Sequence, residues 1–584
     1  MLEAQRARGP DDRATGRPES GPFLGAVRLA VMDPTAAGRQ PMESRATGDW
    51  IVFNGEVYNH REVRAALPRA FDFRSGSDTE TVLAAYAAWG EGCLPRLRGM
   101  FAFAIWDARA RRLFCARDRM GMKPFYYVES DEGFAFASSV GALRRSGLVA
   151  RDLDRSALAG FVRYGCVQEP DGLLAGVRSL PAAHAMRVEG RGAGRPYRWW
   201  SPPAADDPPD DASLRDRFED AVAEHLTSDV PVASFLSGGV DSSAVTAVAG
   251  RRSSSAVAAF TVAWGDDPAI DESGSAGAFA RTRGIDHRVV RMSDAEAARG
   301  VPTAVAAMDL PTIDGLNTWI VSGAAADAGF KVALSGLGGD ELFGGYPTFR
   351  RLARLHRARL ALRLAPAPLL RTVARSGDRA RTLEALGPAT LLERYRTLRS
   401  LWSREEVRSF GLEPRDDDAA DGPDEADDPR LPLATRVSRF ELARYMRSML
   451  LRDADALGMA RSLEVRVPFL DHRLVEHALR SRPPVAASGK RAFRAAVSDV
   501  VPAAASGPKT GFVLPMDRWL RGPLRGFADA GIEALLREDV LDASTVRGVA
   551  DAFERQDVRW SRPWSLCVLG HWLAATRARD EAAA

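Results

Sequence analysis

Short apolar runs broken by Gly, Asn and Asp turns fill the chain from Gly21 to Arg198, as in WIVFNGEVYN, MFAFAIWD and RLFCARD. They predict a domain made mostly of sheet. One stretch breaks the alternation: from Asp78 to Trp89, Val82, Leu83, Tyr86 and Trp89 fall on one stripe, which predicts an amphipathic helix. The first domain is therefore α+β. From Leu214 the period changes, with Leu214, Phe218, Val222 and Leu226 on one helical face, followed by the buried-strand pattern VPVASFL. Strand, glycine turn and helix then alternate, which predicts an α/β domain with a mainly parallel sheet and many covering helices. Between Phe349 and Leu401, Arg, Leu and Ala recur at helical spacing.

Between the two patterns lies SPPAADDPPDDA, Ser201 to Ala212, whose prolines and aspartates favour an extended, solvated connection. The expected organisation is a first domain at 1–198, a linker at 199–213 and a second domain at 214–584. A second polar run, Pro414 to Pro429, is acidic and poor in apolar residues, so a loop is expected there.

Composition narrows the function without naming it. The residues are 46% hydrophobic and 27% charged, the balance of a globular protein, and 80 basic against 77 acidic residues leave a net charge of only +3. That is no basic field, so nucleic acid is not an expected partner. Cys93, Cys115, Cys166 and Cys567 lie far apart and suggest neither a zinc set nor a disulfide framework. With no apolar leader and no run near the ~20 residues that cross a bilayer, a cytoplasmic protein without a membrane partner is expected.

The chemistry enters at SGGVDSS, Ser237 to Ser243, which follows an apolar strand and opens into the helical run SSAVTAVAG. Glycines let the backbone turn tightly, and amides and hydroxyls at a helix N-terminus attract phosphate. A glycine turn that merely starts a helix is the plainer reading. The segment is not a Walker A loop, because it lacks GK[ST] and carries Asp241 in the turn. A second strand and glycine turn, KVALSGLGGDELFGGY, carries Asp340 and Glu341. Ends of parallel strands converge on one crevice, so Asp241 and Asp340 are expected to share a Mg²⁺ that holds the phosphates of ATP, unless the second turn is simply solvated. Glu464 lies in the apolar stretch SLEVRVPFL, where either a functional role or pairing with Arg466 must hold its charge.

SGGVDSS resembles the pyrophosphate loop of the N-type ATP pyrophosphatases. Together with RSLEVRVPFLDHRLVE and GPKTGF, the second half resembles the synthetase domain of asparagine synthetases. RGPDD, LGAVRLAVMD, NGEVYNH, SGSDTE, RGMFAFAIWD and ARDRMGMKPFYY resemble the class II glutamine amidotransferase domain. The resemblance implies layered antiparallel sheets in the first domain, an acyl adenylate formed from ATP in the second, and ammonia passing between them. It places Leu236, Val262, Ser335 and Gly336 on adenosine, and Ser237, Gly238, Gly239, Asp241, Ser242 and Ser243 on pyrophosphate. Lys509 and Glu464 become catalytic candidates, Lys509 for the negative charge of the forming adenylate. In the other domain it places Arg28 on the glutamine carboxylate, Asn54 and Gly55 at the oxyanion, and Glu56 and Asp78 on the α-amine. Glutamine or ammonia, ATP, and aspartate or another carboxylic acid are the implied substrates, and a homodimer is left open.

The chain departs from the pattern in two ways. Class II amidotransferases use an N-terminal cysteine, whereas the first cysteine here is Cys93 and the opening residues match the stretch before RGPD. The first domain is therefore expected to be N-terminally truncated, through a start codon called too late, and the polypeptide as given to use ammonia. Leu337 stands where asparagine synthetases usually carry Glu or Asp and β-lactam synthetases Tyr, and PTIDGLNTW, Pro311 to Trp319, departs from PxxDPS near the acceptor pocket. Two alternatives follow: an adenylating amidotransferase or cyclase acting on a different carboxylate, and a non-catalytic nucleotide-binding homologue.

Overall fold

The computed structural model describes residues 1–68, 71–190, 192–208, 212–264, 270–362, 384–385, 390–414, 427–481, 483–501 and 514–581. Lys509 and the GPKTGF segment, most of the acidic run, and much of the stretch between Phe349 and Leu401 lie outside them.

In the first half, β1 (Trp50–Val57), β2 (Gly99–Asp107) and β3 (Arg112–Arg117) form the antiparallel centre of a seven-stranded sheet. The three predicted runs are thus adjacent strands. A three-stranded antiparallel sheet and a two-stranded one accompany them. Phe101, Phe103, Ile105 and Phe114 are buried on one face of the centre, against α1 (Asp78–Trp89). Every residue of α1 from Asp78 to Tyr86 is buried, so it is not the half-exposed amphipathic helix the stripe predicts.

The second half holds α2 (Leu214–His225), then β4 (Val232–Phe235), α3 (Val240–Arg252), β5 (Ala258–Trp264), β6 (Asp286–Met292), β7 (Val332–Leu334), the short helix α4 (Gly339–Phe343) and β8 (Glu464–Arg466). The five strands form one sheet in the order β6-β5-β4-β7-β8, every pair parallel. After β4 the chain winds to one side through β5 and β6, then returns to place β7 on the other side. The carboxyl ends of β4 and β7 therefore flank the point where the winding reverses, which is where open parallel sheets leave a crevice. Apolar residues from β4, β5 and β7 fill the core on both faces, which explains their unbroken apolar runs. Among the described residues no helix is long and apolar enough to cross a membrane.

Candidate active site

Both glycine turns leave the sheet at that reversal. Ser237 to Gly239 connect β4 to α3, with Gly239 at the N-cap, and the segment from Ser335 to Gly338 connects β7 to α4. Their backbones touch: a Cβ on Gly336 would stand 2.8 Å from the Ser242 nitrogen, and one on Gly339 2.7 Å from the Asp241 carboxyl carbon. Only glycine permits this approach. Within the first turn the Ser242 hydroxyl accepts from the Ser237 amide at 3.0 Å and lies 2.8 Å from the Ser237 hydroxyl, while Gly239 donates to Ser237 Oγ at 3.3 Å. Ser243 is buried in the first turn of α3. Leu236 donates to the Phe260 carbonyl at 2.8 Å, two residues from buried Val262, and Ser335 donates to the Arg466 carbonyl at 2.8 Å.

Asp241 and Asp340 face one another across a single cation, the ammonium of Lys490. It pairs with Asp340 Oδ1 at 2.5 Å and with Asp241 Oδ2. Burial pulls this ammonium down, but the two carboxylates outweigh burial and hold its pKa above the usual lysine value. The position expected for a shared Mg²⁺ is thus held by a protein cation. No motif of the sequence analysis points to Lys490, because its partners lie 249 and 150 residues away. Composition carries a signal all the same. Only four of the 80 basic residues are lysines, namely Lys123, Lys331, Lys490 and Lys509. In a chain that uses arginine almost everywhere, a lysine marks a place needing a compact point charge rather than a planar fork.

The expected glutamine-binding residues meet at a separate cavity of about 400 Å³, lined by Arg28, Asn54, Gly55, Glu56 and Asp78. The Arg28 guanidinium is fixed by donating to the carbonyls of Thr35 at 3.0 Å, Met32 at 2.9 Å and Asp33 at 2.5 Å. Gly55 has φ +141, and a Cβ there would stand 2.0 Å from the Met100 carbonyl oxygen, so no side chain fits. Burial pushes Asp78 up to about 6, against the amide of Val57 that donates to it at 2.7 Å. Burial, then the neighbouring Asp78 carboxylate, also raise Glu56 well above the usual carboxylate range. All four cysteines are buried, and none lines this cavity.

Both carboxyls become more acidic beside a bound ammonium, so glutamine affinity should weaken as pH falls below about 6, read by calorimetric titration at pH 5, 6 and 7.5. The stability effect has the opposite sense. A raised folded pKa contributes stability below the unfolded value near ~4, and this is lost as pH rises through about 6.

Glu464 belongs to this side of the molecule. It begins β8, in register with Val332 at the start of β7, so it sits on the sheet edge away from the glycine turns. Its carboxylate pairs with Arg466 at 2.9 Å and with Lys123 of the first domain at 3.2 Å, and it lines the glutamine cavity. Burial works against its charge, yet Lys123 and Arg466 hold its pKa below the usual range. The pairing with Arg466, one of the two readings of this carboxylate, is thus present. Arg466 also reaches Glu56 at 3.5 Å, and Lys123 reaches Asp455 at 3.6 Å. These ions tie the two domains together beneath the cavity.

A second cavity, of about 390 Å³, adjoins the first through shared walls at Gln5, Arg8, Pro124 and Ser138, and runs on to Arg452 and Asp455 of the second domain.

Comparison with known proteins matches two families along the chain. The asparagine synthase family matches residues 213–574, and a glutamine amidotransferase domain family matches residues 1–200. The chain belongs to the asparagine synthase family. It is a carbon–nitrogen ligase of the ATP-using, glutamine-dependent kind. A Mycobacterium tuberculosis protein provisionally named as a glutamine-hydrolysing asparagine synthetase is 33% identical, over 97% of this chain and 92% of its own. Glutamine-hydrolysing asparagine synthetase 3 of Bacillus subtilis is 32% identical over 82% and 76%, and the amidase chyE of Penicillium rubens 29% over 78% and 74%. Among solved structures, the glutamine phosphoribosylpyrophosphate amidotransferase of B. subtilis aligns over 49% of this chain and 61% of its own, with a TM-score of 0.26 at 14% identity.

Proposed function

We propose that the chain makes an amide on a carboxylic acid through an acyl adenylate, with ammonia as the attacking nitrogen. The observation that carries this reading is the meeting of Asp241, Asp340 and Lys490 between two glycine turns at the reversal of a parallel sheet. The turn between β4 and α3 offers amides and hydroxyls to the pyrophosphate oxygens, and the N-terminus of α3 adds its partial positive charge. Leu236, Val262, Ser335 and Gly336 form the adenosine side. Two carboxylates on adjoining turns suit a Mg²⁺ completed by phosphate oxygens and water, because Mg²⁺ prefers a few carboxylates plus substrate oxygens. Asp241 and Asp340 would hold such a metal, which would supply positive charge to the phosphates when bound, and Lys490 would add its own beside them. Lys509 is the further candidate for that charge. The domain division at 1–198 and 214–584 is part of this reading.

Aspartate is the acceptor that the relatives' names suggest. The contiguous cavities supply a route by which ammonia would travel from the glutamine pocket toward the synthetase domain. Release of pyrophosphate from Mg·ATP, dependent on both a carboxylic acid and ammonium, tests the reading; ATP consumption independent of any acid would refute it.

A further inference from the structure

The second domain contains a cavity of about 530 Å³ that no step above uses. Its walls come from Tyr164 to Gln168 of the first domain, from Ile313 to Asn317, from Tyr395 to Leu401 and from Arg444 to Met449. It begins close to the nucleotide turns. Gly345 presses on the metal-site residues, since a Cβ there would stand 1.8 Å from Asp340 Oδ1 and 2.6 Å from Lys490 Cε. Pro347, two residues on, already lines the cavity, and two residues span at most ~7 Å. The intervening Tyr346 donates to Glu341 at 2.8 Å and meets Tyr445 of the cavity wall edge to face at 5.8 Å.

Resting on the adenylate reading above, we propose that this cavity is the acceptor site, and that the acid it takes is a carboxylate with an aromatic body rather than free aspartate. Three features of the wall support this. Cavities of roughly 300–1,000 Å³ enclose drug-sized molecules, and a small acid would leave most of this one to water. Tyr164, Tyr445, Leu398, Met449 and Trp560 make much of the surface apolar and aromatic, which suits a flat hydrophobic body. The charged residues are unequal in sign: Arg351, Arg396, Arg399 and Arg444 against Asp314 alone. Asp314 is thus the one carboxylate that the described wall residues offer the ammonium of an amino acid, whereas an acid without an amine needs none. Arg399 is already paired with Glu441 at 2.6 Å and lies 4.0 Å over the Tyr445 ring, so it serves the wall as a flat, fixed surface rather than as a free charge. Ile313, Asp314, Leu316 and Asn317, at the start of the helix Leu316–Asp327, complete the same wall.

Sulfamoyl-adenosine conjugates, which mimic acyl adenylates without reacting, test this by binding alone. One should carry 3-phenylpropanoate and the other aspartate joined through its side-chain carboxyl, each titrated calorimetrically against the full chain. The phenylpropanoyl conjugate is expected to bind at least ~30-fold more tightly. Equal binding, or tighter binding of the aspartyl conjugate, overturns the inference and leaves the adenylate reading standing. If neither binds better than AMP, the adenylate reading fails and takes the inference with it. Leu398→Trp, which fills the cavity at a half-buried position, should weaken the phenylpropanoyl conjugate at least ~10-fold while circular dichroism confirms the fold. Unchanged affinity in that variant overturns the placement.

Discussion

Asp340→Asn should lower the rate of acid- and ammonia-dependent pyrophosphate release by about 10²–10³, because the substitution removes one of two carboxylates aimed at a single cation while keeping its shape. The fold should survive, since Lys490 keeps its contact with Asp241 and α4 keeps its backbone bonds. Thermal denaturation within a few degrees of the parent chain, alongside the lost rate, would separate chemistry from unfolding. A variant with near-normal turnover would remove Asp340 from the phosphate site.

Lys490→Met acts on stability as well as on rate. Asp241 and Asp340 are both nearly buried, and without the ammonium they would face one another as like charges in a poorly solvated pocket. Removing one partner of a buried ion pair costs about 3–5 kcal/mol, so a clearly lower melting temperature is expected. Mg²⁺ should then raise the melting temperature of the variant more than that of the parent chain, because the metal enters where the ammonium was. Pyrophosphate release should fall by about 10². A melting temperature unchanged with or without Mg²⁺ would show that the two carboxylates do not depend on this cation.

The parts of the molecule legible in the sequence are those whose cause is local. SGGVDSS reads as strand, turn and helix because the apolar run, the glycines and the change of period are contiguous, and the structure places Val232–Phe235, Gly239 and Val240–Arg252 in that order. The strands at Trp50 and Gly99 read equally well, and the close approach of Gly55 to Met100 follows from their pairing. What the sequence hides is set by distant neighbours. Glu464 reads as a carboxylate in an apolar strand, but the sheet edge it occupies depends on the register of β8 with β7, which no local pattern encodes. The helix from Asp78 is buried all round because of what covers it, not because of its own periodicity. Lys490 follows Gly489 in an unremarkable SGK, and its meaning appears only once two turns from elsewhere close on it.

The arrangement also explains why the charged network under the first cavity belongs to the interface. Lys123 reaches Glu464 and Asp455, Arg8 reaches Asp455 at 2.7 Å, and Lys331 reaches Asp11 at 2.8 Å, each pair joining the two halves of the chain. The buried pairs among them, those of Lys123 and Arg8, add little net stability but penalise any misalignment that leaves one charge alone. They therefore fix the two adjoining cavities in register with one another.

The fate of ATP decides the central claim. Phosphorus NMR of the products formed from Mg·ATP, ammonium and an accepted carboxylic acid should show AMP and pyrophosphate in equal amounts, as cleavage between the α and β phosphates requires. ADP and orthophosphate in their place would mean that the terminal phosphate is the one transferred, and that the two glycine turns do not build an adenylate.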